Sequence, residues 1–232
     1  MTRKKLNLSY IIIGLFFISS CSQTDIQPVD SVNFGIIPLS NDYYWKYEHY
    51  EHFSSQPELF TSGETTLSIY DKYSLDVNGT EMKCYRTNFI LLSMIIPNTT
   101  WLLENFNDGL YLLGSTDQDS PIINELILKY PVEIGDSWQI DIQEITGLWQ
   151  QLFTCIDTTA TLQALNKTFF CYVFEYVYEY NGGDTFDKRT VDEYYVPNLG
   201  LIGVKQYSHD YYTDEKTLAF SSLLVETNVP IP

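Results

Sequence analysis

The chain has 232 residues, 13 of them Lys or Arg and 30 Asp or Glu, for a formal charge of −17 and a pI near 4.3. A surface that acidic repels phosphate backbones and anionic headgroups, which argues against nucleic acid as a partner. Aromatic residues make up 16%, with 19 Tyr, 13 Phe and 4 Trp; that is too rich for disorder and suits the pleated faces of strands.

The first twenty residues read as a secretory signal. Arg3, Lys4 and Lys5 form a basic start, Tyr10 to Ile18 is mostly apolar, and Ile18-Ser19-Ser20-Cys21 follows at once. The apolar run is too short to span about 30 Å of hydrocarbon as a permanent helix. Small residues at 19 and 20 let a peptidase reach the next bond, and the thiol of Cys21 is placed to take a diacylglycerol. An ordinary signal would need a small residue where Ile18 stands. The segment resembles the lipobox of bacterial lipoproteins. That resemblance implies a mature chain starting at a lipidated Cys21, with diacylglycerol and palmitate chains holding it to a membrane of the cell envelope. The outer membrane is favoured over the inner, with the domain facing the periplasm or the exterior. At about 0.8 kcal/mol per buried methylene, two or three acyl chains anchor a soluble domain stably. Cleavage removes three cations and no acid, which leaves the mature chain at −20. Residues 21–33 read as the lipidated cysteine and a polar tether containing Pro28.

Residues 34–232 read as one all-β domain, a curved antiparallel sheet (open half-barrel or sandwich) built from two sequence repeats, about 34–118 and about 127–227. Pro38-Leu39 precedes Trp45 as Pro131-Val132 precedes Trp138, an offset of 93. Asn78-Gly79-Thr80 leads to Cys84-Tyr85 as Asn166-Lys167-Thr168 leads to Cys171-Tyr172, and Asn107-Asp108-Gly109-Leu110 matches Asn198-Leu199-Gly200-Leu201. Three matches in one order at near-constant spacing are hard to assign to chance.

In chain order, Tyr43, Trp45 and Tyr47 alternate with Tyr44, Lys46 and Glu48, so a ring-rich face opposes a polar one. Asn78-Gly79 predicts a tight hairpin turn between a strand ending near Ser74 and one running from Met82 through Ile96. Ile122 to Leu128 reads equally as a short helix or a strand. Asn181-Gly182-Gly183-Asp184 is a second turn, and Tyr194 to Val204 forms the closing strand.

The segment Cys171 to Tyr180 carries Tyr172, Phe174, Tyr176, Tyr178 and Tyr180 on one face. Such a row either lines a ligand cavity and stacks on sugar rings or forms the core side of a sheet. Buried phenols need partners, so some of these tyrosines should stand half wet at a rim. The candidate ligand-binding residues are Tyr172, Phe174, Tyr176 and Tyr178, with Trp45 and Trp138 nearby.

The opening Pro-Leu…Trp and the closing Gly-Leu-Ile…Val pattern resemble modules of uncharacterised envelope lipoproteins over most of residues 34–210. The likeness implies a curved sheet like the half-barrel of lipoprotein-carrier proteins, which hold an apolar ligand on the concave face. It implies no catalytic residue. The first copy departs from the pattern at Asn41-Asp42, where such modules have Gly, so its opening turn is expected to differ.

Few residues carry obvious chemistry. His49 and His52 sit three apart in a strand, which points them to opposite faces and disfavours a shared metal; both read as surface histidines. No nucleophile elbow, phosphate loop, dinucleotide fingerprint or Cys-x-x-Cys pair occurs. Cys84, Cys155 and Cys171 leave at least one thiol unpaired within the chain, and Cys84 and Cys171 fall in apolar contexts that blunt reactivity. Asp117-Gln118-Asp119 lacks the Gly and distal Glu of a calcium loop. The expectation is a non-catalytic, lipid-anchored envelope protein without cofactor or metal. It would bind an apolar or glycan ligand or an envelope protein partner. The alternatives are an extracytoplasmic glycan hydrolase using a carboxylate pair, and a structural subunit of a surface complex.

Overall fold

The computed structural model describes residues 35–53, 56–77, 80–90, 99–116, 124–140, 151–182, 185–210 and 212–232. The signal, Cys21 and the tether lie outside these residues, as do Asn78-Gly79, Asp117-Gln118-Asp119 and Gly183-Asp184. The described residues form twelve strands and no helix, so the chain is all-β. In order they are β1 (Tyr44–Phe53), β2 (Gln56–Val77), β3 (Thr80–Thr87), β4 (Trp101–Phe106), β5 (Gly109–Ser115) and β6 (Glu125–Lys129), then β7 (Ser137–Ile140), β8 (Gln151–Ala164), β9 (Lys167–Gly182), β10 (Thr185–Val196), β11 (Gly200–His209) and β12 (Lys216–Thr227).

All belong to one antiparallel sheet, in the order β6-β5-β4-β3-β2-β1-β12-β11-β10-β9-β8-β7. Each half is a meander of six strands, and the first and last strands pair at the middle, from Trp45↔Thr227 to Glu51↔Phe220. The outermost strands β6 and β7 are consecutive in the chain and come back together. Across that seam Trp138 Nε1 donates to Ile127 O at 3.0 Å, and Lys129 Nζ to Asp136 Oδ2 at 2.9 Å. No ladder joins them among the described residues. The curvature expected of a half-barrel is thus carried round to a nearly closed barrel with one seam. Strand twist favours this closure, and it hides sheet edges that would otherwise be exposed.

Period-two alternation sets what lies inside. Trp45 and Tyr47 are buried, while Lys46 between them points out to Glu64 at 2.8 Å. The buried polar tips find backbone acceptors: Trp45 Nε1 donates to Leu199 O at 2.6 Å and Tyr47 Oη to Leu201 O at 2.8 Å. Residues 35–43 close one end of the barrel, burying Ile36, Ile37 and Leu39. Asn105 Nδ2 donates to Ile37 O at 2.8 Å, and Asn198 N to Gly35 O at 2.9 Å, pinning this segment to two different turns.

Two long hairpins outgrow the sheet. The β2–β3 arm brings Leu75 and Met82 against Leu102 and Leu113, on the opposite side of β4 and β5 from the main core, with Cys84 buried among them. In the β8–β9 arm, register slips between Cys155 and Ala160 bend the strand. That lays Leu162 over Gly203 of β11, where an added Cβ would lie 2.5 Å from the Leu162 Cδ2.

Several boundaries differ from expectation. Residues 91–96 of the expected run to Ile96 lie outside the described residues, and the strand after the first hairpin ends at Thr87. There the Asn88 amide accepts from Ser68 N at 2.7 Å and donates to Thr66 O at 2.9 Å, replacing the ladder with side-chain bonds. Tyr194 to Val204 is not one strand but the end of β10, a turn, and the start of β11. Pro197 has no N–H to give a ladder, and Asn198 adopts φ 63°, which asparagine tolerates. Of the ambiguous Ile122–Leu128 segment, residues 125–128 belong to the strand β6, and residues 122 and 123 lie outside the described residues. The residues matched in sequence stand six strands apart: Trp45 on β1 and Trp138 on β7, Cys84 on β3 and Cys171 on β9, Gly109 opening β5 and Gly200 opening β11.

Candidate functional site

β9 carries the aromatic row up the inside of the barrel. Tyr172, at its lower end, is half-buried and meets Tyr130 edge-on, with ring centroids 5.7 Å apart. Phe174 and Tyr176 are buried. Trp138 packs edge-on to Phe174 at 5.1 Å and stacks on Phe153 at 5.5 Å, and Phe153 lies 4.6 Å from Tyr176. Tyr178, at the upper end, is 37% exposed. The side chain of Tyr180 lies outside the described residues. Trp45 is buried away from this row, edge-on to Phe89 at 6.0 Å. Of the six candidate residues, the fold therefore gathers Trp138, Phe174 and Tyr176 into one packed cluster. Tyr172 and Tyr178 stand at its two ends, and Trp45 lies elsewhere.

Sequence reasoning missed the acid beside this cluster. Glu193 on β10 pairs directly with Phe174, which places it on the inner face, and it is fully buried. Tyr195 Oη donates to Glu193 Oε2 at 2.8 Å. Burial, and next the carboxylate of Glu193, push the phenols of both Tyr195 and Tyr47 well above their ordinary range. These groups therefore stay neutral donors. The available signal was the alternation Glu193, Tyr195 against Asp192, Tyr194, but it does not say which pair faces inward.

The upper part of the inner face turns polar. Tyr178 pairs with Arg189, Tyr176 with Val191, and Val191 with Gln206. Further round, His49 pairs with Ser222, whose hydroxyl lies 2.7 Å from its Nδ1, while its Nε2 lies 2.6 Å from Thr65 Oγ1. The ring stacks on Phe220 at 5.6 Å, and burial lowers its pKa. The reading of His49 as a surface histidine is thus corrected: the strand's alternation turns it inward. His52 bonds Ser221, the neighbour of Ser222, on the other face.

One constellation has the outline of acid–base machinery. His209 Nε2 lies 2.8 Å from Thr190 Oγ1, and its Nδ1 lies 2.7 Å from Asp214 Oδ1. Lys188 and then His209 hold Asp214 below the usual carboxylate range. Thr190, however, is fully buried, so no substrate atom can approach its hydroxyl in this arrangement. The network instead ties the β11–β12 turn to β10.

At the opposite end lies a cleft of about 250 Å³ lined by residues that include Gly35, Asn105, Phe106, Tyr130 and Pro131. Cys84, Cys155 and Cys171 are all unpaired and buried. Desolvation pushes the thiols of Cys84 and Cys171 up to about 11. Among the described residues no group of three His, Cys, Asp or Glu side chains is arranged to hold a metal.

No family model matches the chain, and no curated protein matches its sequence. Two solved structures resemble it in fold. One is an exported protein, provisionally so described, with a YmcC-like fold from Bacteroides fragilis; the other is a provisionally described lipoprotein from Parabacteroides distasonis. Each is 13% identical, covers 84% of this chain and 99% of its own, and superposes with a TM-score of 0.42.

Proposed function

We propose that the chain is a lipid-anchored envelope protein, held by Cys21, whose barrel is a non-catalytic binding module made from two copies of one six-stranded unit. The observation that carries the binding reading is the aromatic row of β9. It runs from a packed interior to a half-open Tyr178 that faces Arg189, among Gln206 and other polar groups. A face that combines an open ring with hydrogen-bonding edges suits a sugar better than a bare acyl chain, because a sugar offers both C–H faces and hydroxyls. The ligand class is therefore a glycan, entering at the Tyr178 end and reaching no deeper than Tyr176. The matched residues standing on β1/β7, β3/β9 and β5/β11 support the duplication.

Native mass spectrometry of the gently purified mature protein tests this. A reproducible added mass of hexose units, lost on denaturation and absent from a Tyr178→Ala/Arg189→Ala variant of unchanged thermal midpoint, is the expected result. A bare protein mass that persists when glycan fragments are added would overturn it.

A second reading is a structural subunit of a larger surface assembly. It is favoured by Leu152 and Val177, 58% and 42% exposed side by side on the outer wall. The hydrolase reading needs a second carboxylate about 5 to 10 Å from Glu193. Beside Glu193 stand Phe174 and the phenols of Tyr195 and Tyr47.

A further inference from the structure

We infer that the end of the barrel where the chain enters rests on the bilayer, with Phe106 and Ile134 in the interface of a zwitterionic leaflet. This deepens the lipid-anchor reading and rests on it.

The meander fixes which side chains share that end. Strands alternate in direction, so the entry to β1, the exit from β12, the β4–β5, β6–β7 and β10–β11 turns and the roots of the β2–β3 and β8–β9 arms, which lie against the outer wall, all fall together. The contacts agree: Asn198 N donates to Gly35 O at 2.9 Å, Tyr130 N to Asp108 O at 2.9 Å, and Tyr44 N to Asn228 Oδ1 at 2.9 Å. The opposite end carries the β1–β2, β9–β10 and β11–β12 connections.

Chain length then sets the distance. Cys21 precedes Gly35 by fourteen residues, a separation of no more than about 50 Å whatever path the chain takes. The chain joins the barrel at the entry end, so that is the end the acyl anchor tethers to the bilayer, and the Tyr178 end is the other.

The surface of the entry end fits an interface. Phe106 is 43% exposed and Ile134 63% exposed, with Phe106 sharing a cleft with Pro131 three residues from Ile134. Around them lie amides (Asn105 and Asn107) and acids (Asp108 and Glu133), while Asp136 is paired with Lys129. Acids next to the apolar tips repel an anionic surface and tolerate a neutral one, which selects the leaflet chemistry.

The test uses full-length, lipidated protein in vesicles of phosphatidylethanolamine and phosphatidylcholine. Single variants Phe106→Cys, Ile134→Cys and, at the far end, Tyr212→Cys carry a fluorescent probe; Tyr212 is 89% exposed. The native thiols are buried and poorly ionised, so the added cysteine labels selectively. Brominated acyl chains should quench the probes at 106 and 134 several-fold more than the probe at 212, and added phosphatidylglycerol should weaken that quenching. Equal, weak quenching at all three sites in a protein whose Cys21 peptide carries the diacylglyceryl mass would overturn the inference and leave the anchor standing. Loss of that mass from Cys21 would instead remove the anchor, and the inference with it.

Discussion

Trp45 and Trp138 follow the same short Pro-x motif at the same spacing, yet they occupy different kinds of place. Trp45 sits on a strand with ladders on both sides, its indole N–H taken by Leu199 O across the β10–β11 turn. Trp138 sits on a strand that, among the described residues, pairs with β8 alone, and its indole N–H bridges the seam to Ile127 O. One ring is walled in by the sheet; the other serves as part of the wall. The two halves differ again beneath their arms. Leu102 and Leu113 lie under the first arm, while Tyr194 and Asp192 occupy the outer face of β10 in the second half. Similar local sequence has thus been put to different uses by its neighbours.

If that contrast is right, the tryptophans should not be equivalent. Trp45→Ala should cost about 4–5 kcal/mol and Trp138→Ala about 3, because the seam can relax around a lost ring and the closed sheet cannot. Urea unfolding of both variants measures this, and equal losses would break the comparison. The opening glycines should separate in the same way. A Cβ on Gly109 would lie 2.1 Å from the backbone oxygen of Leu128, whereas on Gly200 its nearest neighbour is Trp45 Nε1 at 3.3 Å. Gly109→Ala should therefore lose about 3 kcal/mol and Gly200→Ala, at φ 96°, about half that; thermal melts would show the ranking.

A smaller effect distinguishes the outer faces. Burial, and then the neighbouring Glu175, raise the Asp192 carboxyl above its usual range, and its Oδ1 is buried without a partner. A carboxyl whose folded pKa is raised contributes stability below the unfolded value of 3.8 and loses it as pH climbs through the folded value. Asp192→Asn should accordingly stabilise the protein at pH 7, by no more than about 1 kcal/mol. The gain should fade as pH falls through the raised folded value toward 3.8 and be absent below it, and melting curves across pH would expose the opposite sign at once. Least dramatic is the thiol chemistry. Cys84 and Cys171, one on each arm, should both resist a disulfide-exchange reagent at pH 8 in the folded protein and react together once urea unfolds it. Fast labelling of one alone would show that its arm opens by itself.

Much of the architecture was legible in residues. The alternation at Trp45 and Tyr47 marks an inward face because a strand turns successive side chains to opposite sides, a rule that needs no partner. Buried thiols were foreseeable from the apolar strands around Cys84 and Cys171. The aromatic row of β9 was legible as a row, but which rings stay wet was not. Phe174 and Tyr176 are sealed by Trp138 and Phe153, and Tyr178 is left half open by the height at which those neighbours stop. Glu193 escaped notice for a related reason. Its burial follows from the direction its strand faces, and its Tyr195 bond from the barrel interior around it.

By itself the sequence determined the strand content, the signal-like start, the acidic charge and the two-residue period, because each depends on residues close together in the chain. Tertiary structure decided that the sheet closes almost completely, that β6 and β7 meet at a seam, and that Glu193 lies inside. Those outcomes depend on contacts such as Trp45 with Leu199, 154 residues apart. Their free energy comes from surfaces that meet only after the chain has folded round on itself.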